Sequence, residues 1–220
     1  MVNIKENLYG LNKNIDELKN SIRPAIVAVS KQQNFEKIIE AFKAGQTIFA
    51  ENYLQEALDK QKLLKEYPIE WHFIGPIQSN KCKLIAENFH WVQTVDRIKI
   101  AKRLNDNCIN KKINICIQIN ISEEESKSGI MLDEVDSFVS ELNQFKQLRL
   151  RGIMAIPSHI SQEDKLIREL TLLKKIFDNL KIKNKNMDTL SVGMSEDYLL
   201  ALNYGSTMIR VGSHIFGARK

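Results

Sequence analysis

The chain is poor in cysteine. Cys82, Cys108 and Cys116 are all it has in 220 residues, and no two of them form a CxxC pair. An odd, scattered set of thiols excludes a disulfide framework and fits a reducing compartment, so a cytoplasmic location is expected. Long apolar runs are missing too. Nothing approaches the ~18 consecutive apolar residues of a membrane span, and the opening Met1-Val2-Asn3-Ile4-Lys5-Glu6 lacks the apolar core and cleavage site of a secretory signal. With Gly 9 and Pro 4, no Pro/Gly-rich linker or low-complexity boundary divides the chain, and one domain over residues 1–220 is expected. The net charge is only +5, from 32 basic and 27 acidic residues. The lysines are scattered without aromatic interleaving, so no nucleic-acid partner is expected. The sequence also has no GxGxxG after its first apolar run, no Walker loop, no GxSxG elbow and no His/Cys/Asp cluster at metal spacing.

What is present is an alternation. Short β-branched runs recur at Ala25–Ser30, Ile48–Ala50, Trp71–Ile74, Trp91–Val95, Ile115–Ile119, Leu150–Ile156, Leu190–Val192 and Met208–Val211, separated by amphipathic stretches. After the first run, Phe35, Ile38, Ile39 and Phe42 follow helical spacing and stop at Gly45, a glycine C-cap. A long helix from about Gln162 carries Leu166, Leu170, Leu173, Phe177 and Leu180 on one face. Eight βα units predict a parallel sheet closed into a single (β/α)8 barrel of the α/β class. The residues before Pro24 read as an extra N-terminal helix. An open doubly wound sheet is the alternative, weakened by the missing glycine fingerprint.

Function in such a barrel sits at the C-terminal ends of the strands. Lys31 ends the first run; there it is either a solvated lysine or an amine whose ordinary pKa of roughly 10.4 is lowered enough to attack a carbonyl. Arg210 interrupts an apolar strand, either as a barrel-layer ion pair or as a guanidinium aimed at a ligand anion or ring nitrogen. Gly193-Met194-Ser195 closes the seventh run, with Glu196 and Asp197 just beyond. Ser195 suits a helix N-cap, and the same geometry suits phosphate, as do Gly212 and Ser213 after the last run. His72 reads as a satisfied core histidine.

Seven motifs, taken in order, resemble one family. They are Ala28-Val29-Ser30-Lys31, Glu51-Asn52-Tyr53-Leu54-Gln55-Glu56, the run from His72 to Lys81, Gln118-Ile119-Asn120 with Glu124 to Gly129, Leu150 to Pro157, Ser191 to Ser195, and Gly205 to Arg219. Together they are similar to the pyridoxal phosphate homeostasis protein family, over residues 24 to 219. Ala50 stands where that family usually has glycine, and the Gln93–Asp96 stretch also varies.

The resemblance implies a barrel like the N-terminal domain of alanine racemase, binding pyridoxal 5′-phosphate (PLP). It implies Lys31 as the Schiff-base lysine, Ser195, Gly212 and Ser213 around the phosphate, Arg210 at the pyridine nitrogen, and Asn52 as a pocket residue. It implies a cofactor carrier or regulator without an established reaction, with PLP-dependent apoenzymes as the partner class. An arginine at the ring nitrogen keeps that nitrogen unprotonated and weakens the ring as an electron sink. A PLP-dependent racemase is the alternative. Alanine racemase draws a second base from a further domain of its partner subunit, and a chain ending at Lys220 is expected to lack room for one; Tyr53 or His72 would have to serve. With no obvious exposed apolar helix face, a monomer is expected.

Overall fold

The computed structural model describes residues 2–18, 22–124 and 126–218. Glu125 and Arg219, members of two of the motifs, lie outside the described residues. The chain opens with helix α1 (Ile4–Glu17) and then runs through strands β1 (Ala25–Val29), β2 (Ile48–Glu51), β3 (Glu70–Phe73), β4 (Trp91–Val95), β5 (Ile113–Ile119), β6 (Leu148–Ala155), β7 (Thr189–Ser191) and β8 (Met208–Val211). Between and after them lie α2 (Phe35–Lys43), α3 (Leu54–Leu63), α4 (Cys82–Asn88), α5 (Ile98–Asn107), α6 (Val135–Leu142), α7 (Glu163–Lys183), α8 (Tyr198–Asn203) and α9 (Ser213–Phe216).

The eight strands pair in sequence order into a closed parallel barrel. Closure comes from β1 against β8, with Ala25, Ile26, Val27 and Ala28 opposite Met208, Ile209, Arg210 and Val211. The doubly wound alternative is therefore excluded. Several boundaries differ from the sequence reading. β5 and β6 each begin two residues earlier than expected and β3 begins at Glu70, because polar residues at the barrel's N-terminal end still join the ladder. The helices expected from Asn80 and Leu132 open as 3₁₀ turns and become α-helical at Cys82 and Val135.

Local chemistry accounts for the helices. Asn34 caps α2 by accepting from Lys37 N–H, and Gly45 takes φ +100° just past its end. α7 buries Leu166, Leu170, Leu173, Phe177 and Leu180, the expected face. The expected leading helix is α1, which buries Ile4, Leu8, Leu11 and Ile15.

Two apolar regions follow from strand alternation. The larger lies between strands and helices. The smaller is inside the barrel, where Val27, Ala50, Trp91, Cys116, Met154 and Met208 cluster apart from the rest. Polar side chains share that interior with them, among them His72, Gln93, Ser191 and Arg210, all buried. No helix among the described residues is long and apolar enough to cross a membrane.

Candidate functional site

A cavity of about 510 Å³ opens at the C-terminal end of the barrel. Lys31, Asn52, Ser195, Arg210, Gly212 and Ser213, singled out in the sequence, all line it. Its volume lies within the range of small-molecule sites.

Lys31 sits two residues beyond the end of β1, and both of its neighbours are pinned. Ser30 donates its N–H to Ala50 O (3.0 Å) and its hydroxyl to Glu51 Oε1 (2.6 Å), while its carbonyl accepts from Lys60 Nζ (2.7 Å). Gln32, in the left-handed region at φ +61°, donates its N–H to Glu56 Oε1 (2.6 Å). Lys60 joins the two carboxylates, at 2.7 Å from Glu51 and 2.6 Å from Glu56. Burial pushes the Glu51 carboxyl above its usual range, and the Lys60 ammonium opposes that rise. The short loop that presents Lys31 is thus backed by an ion cluster lying mostly in the protein interior.

Arg210 forms the floor of the cavity. It is 4% exposed. Nη1 donates to the Ser191 carbonyl and hydroxyl, both at 2.8 Å, and Nη2 donates to the Ala155 carbonyl at 2.9 Å. Among the described residues no carboxylate lies within ion-pair distance of it, so the barrel-layer ion pair is not formed. Burial pulls the guanidinium down to about 10, and the Asp197 carboxylate partly offsets this. It remains a cation at neutral pH, its hydrogen-bond acceptors are neutral, and the Asp197 carboxylate acts on it only through space.

The rim next to it departs from the sequence reading in one respect. Ser195 does not cap a helix. α8 starts at Tyr198 with Asp197 in the cap position, and Asp197 turns back to accept from Met194 N–H at 2.6 Å. Ser195 is thereby left in the turn between β7 and α8, where its Oγ accepts from the N–H groups of Gly212 (3.3 Å) and His214 (3.4 Å). Two backbone donors therefore converge on the Ser195 hydroxyl where α9 begins, and Ser213, the first residue of α9, lines the same cavity. Asn52 also lines the cavity, and its Oδ1 is buried with no hydrogen-bond partner among the described residues. A buried acceptor without a partner, on a residue that lines a cavity, is a candidate partner for a ligand donor.

The two residues considered as a second base are elsewhere. Tyr53 is 54% exposed and does not line the cavity, and His72 is buried inside the barrel between Glu70 and Gln93. Sequence reasoning missed Lys60, whose position on a helix carries no local signal. It also missed His159, which meets Glu196 at 2.7 Å across the loops after β6 and β7. Glu196 and Asp197 stood out only as acids at a helix start.

The family described as alanine racemase, N-terminal domain, matches residues 7–220. The pyridoxal phosphate homeostasis protein of Pasteurella multocida is 44% identical over 227 aligned positions, covering 98% of this chain and 97% of that protein. The chain belongs to the pyridoxal phosphate homeostasis protein family. Its Escherichia coli K12 member is 46% identical over 202 positions, covering 88% of this chain and 85% of that one. Among solved structures, PipY of Synechococcus elongatus with PLP bound has a TM-score of 0.87 at 31% identity, covering 97% of this chain and all of that one. An alanine racemase from Clostridium difficile reaches a TM-score of 0.75 at 15% identity, covering 98% of this chain and 59% of that one, a likeness of fold alone.

Proposed function

We propose that this protein binds PLP through Lys31 and serves intracellular PLP homeostasis as a carrier or regulator rather than as an enzyme. One observation carries the reading: an amine, a buried cation without a carboxylate partner, and a rim of hydroxyl and backbone donors meet in one cavity. Those groups match the parts of PLP, an aldehyde, a ring nitrogen and a phosphate. The PLP-bound structure of PipY supports the same cofactor. When bound, PLP supplies an aldehyde that a lysine amine can capture as an imine, and a ring that can accept electrons.

In this reading the ion cluster behind Ser30 and Gln32 aims the Lys31 amine. Arg210 faces the ring nitrogen and, as a cation, disfavours its protonation. Ser195 and Ser213 with the Gly212 amide hold the phosphate, and Asn52 accepts a proton donor on the near face of the ring. A weak electron sink suits storage better than turnover. We take the chain as one cytoplasmic domain over residues 1–220, acting as a monomer and delivering to PLP-dependent apoenzymes. Three buried free cysteines agree with a reducing compartment.

Purified protein mixed with one equivalent of PLP, reduced with borohydride and mapped by peptide mass should carry the label on Lys31, and Lys31→Ala should lose the visible absorption band. Label recovered mainly on another lysine would overturn the assignment. The racemase reading has one support, the shared fold with alanine racemase. Chiral analysis after incubation with L-amino acids decides it: Lys31-dependent turnover of about 1 s⁻¹ or faster, within the ordinary enzyme range, makes the protein an enzyme.

A further inference from the structure

A line of polar side chains runs through the barrel interior. It starts at Glu70, the first residue of β3, whose side chain is 43% exposed at the end opposite the cavity. His72 Nε2 lies 2.8 Å from Glu70 Oε1, and Gln93 Nε2 lies 2.7 Å from His72 Nδ1. The Ser191 hydroxyl donates to Gln93 Oε1 at 2.7 Å, and Arg210 Nη1 donates to Ser191 Oγ at 2.8 Å. Four consecutive bonds therefore join the far end of the barrel to the cavity floor, through β3, β4, β7 and β8.

The ends of this line set the direction of every bond in it. A guanidinium can only donate and a carboxylate can only accept. Ser191 accepts from Arg210, so its own proton goes to Gln93 Oε1. The amide oxygen of Gln93 is then occupied, and its NH₂ group turns to His72. His72 must accept at Nδ1 and carry its proton on Nε2, which donates to Glu70. Burial holds His72 below its ordinary pKa, and the His72 hydrogen bond keeps Glu70 ionised, so both groups are in the forms this order needs. The Trp91 ring stacks on the imidazole, with centroids 5.1 Å apart and 20° between planes, and fixes its plane. A protonated His72 would turn Gln93 round and present Ser191 with two donors at once.

The Ser191 and Ala155 carbonyls already hold one edge of the guanidinium. The Ser191 hydroxyl adds a third acceptor, but only while its proton points away from Arg210. We propose that His72 and Gln93 are positioning residues, which act through Ser191 to fix the guanidinium of Arg210 and so the polar setting it offers to a bound ring. The part concerning the ring rests on the function proposed above; the part concerning Arg210 does not.

Nuclear magnetic resonance of the cofactor-free protein tests the second part directly. With ¹⁵N-labelled histidine, His72 at neutral pH should show a protonated Nε2 and a bare, hydrogen-bonded Nδ1. The opposite tautomer or an imidazolium overturns the inference, and this measurement needs no variant. With ¹⁵N-labelled arginine, Gln93→Met and Ser191→Ala should shift the Nη signals of Arg210, while Ser191→Thr, which keeps the hydroxyl, should hold them near wild type. Unmoved Nη signals in Gln93→Met and Ser191→Ala overturn it. Adding PLP tests the first part. Gln93→Met should shift the visible band and weaken PLP retention by up to about tenfold, the worth of one neutral hydrogen bond. A band that moves in Arg210→Gln but not in Gln93→Met overturns the inference. A band that moves in neither variant shows instead that Arg210 does not face the ring.

Discussion

At the scale of single residues, the chemistry of this protein lies in charged groups placed where charge is costly. Arg210 is buried against neutral oxygens, Glu51 and Lys60 are buried against each other, and His72 is buried neutral. His72 has a consequence for pH. Its folded pKa lies below its unfolded one, so the unfolded chain takes up a proton first as pH falls. The stability its burial allows is complete above the unfolded value of about 6.5 and is lost as pH falls toward the folded value. His90 is lowered in the same sense by burial, so the two share the slope. Between pH 7.5 and 5, urea-measured stability of His72→Asn should lose less on acidification than the parent, by up to about 1.4 kcal/mol per pH unit, the limit for one proton. An unchanged slope in the variant would mean that His72 does not titrate on unfolding in this window. The rim serines lead to a second expectation. Replacing Ser195 and Ser213 together by alanine should weaken PLP about tenfold or more while leaving pyridoxal, which has no phosphate, nearly unchanged. Equal loss for both ligands, read by equilibrium dialysis, would assign the serines to packing.

At the scale of elements, close approach between neighbours decides which substitutions the barrel tolerates. Gly152 of β6 lies opposite Thr189 of β7, and a Cβ there would come 1.6 Å from the Thr189 carbonyl oxygen. β7 has only three residues, so little else holds it in register. Gly152→Ala should therefore cost at least about 3 kcal/mol by overpacking, seen as a lower urea midpoint with an unchanged m-value. Ser191 leaves from the same short strand to meet both Gln93 and Arg210, so loosening β7 should also disturb the cavity floor. The alternation of strands and helices was legible in the sequence because each element carries its own periodicity. The starts of β3, β5 and β6 were not, since a polar residue at a strand end looks like a loop until its partner strand is known.

At the scale of the whole molecule, α1 links the two ends of the chain. It packs against α9 and α2, its Asn7 donates to the Ile215 carbonyl at 3.0 Å, and its Asn14 donates to the Tyr198 hydroxyl at 3.0 Å. α9 opens with Ser213, so the leading helix supports the rim of the cavity from behind. Leu11 lies on the buried face of α1, and Leu11→Ala should destabilise by about 2–5 kcal/mol. Hydrogen exchange should also quicken at the amides of α9. A variant that loses stability while α9 exchanges as before would show that α1 supports the barrel generally and not this rim.

The sequence by itself determined the eight βα units, the leading helix, the buried face of α7, the family, and six of the residues that line the cavity. All of these are carried by local periodicity or by contiguous motifs. Only the tertiary structure decided that β8 closes on β1, that Lys60 is the partner of Glu51, that Asp197 rather than Ser195 caps α8, and that His72 reaches Arg210 through Gln93 and Ser191. The physical reason is that these contacts join side chains far apart in sequence. Which of them meet depends on the stagger of eight strands around a closed barrel, and no single element carries that information.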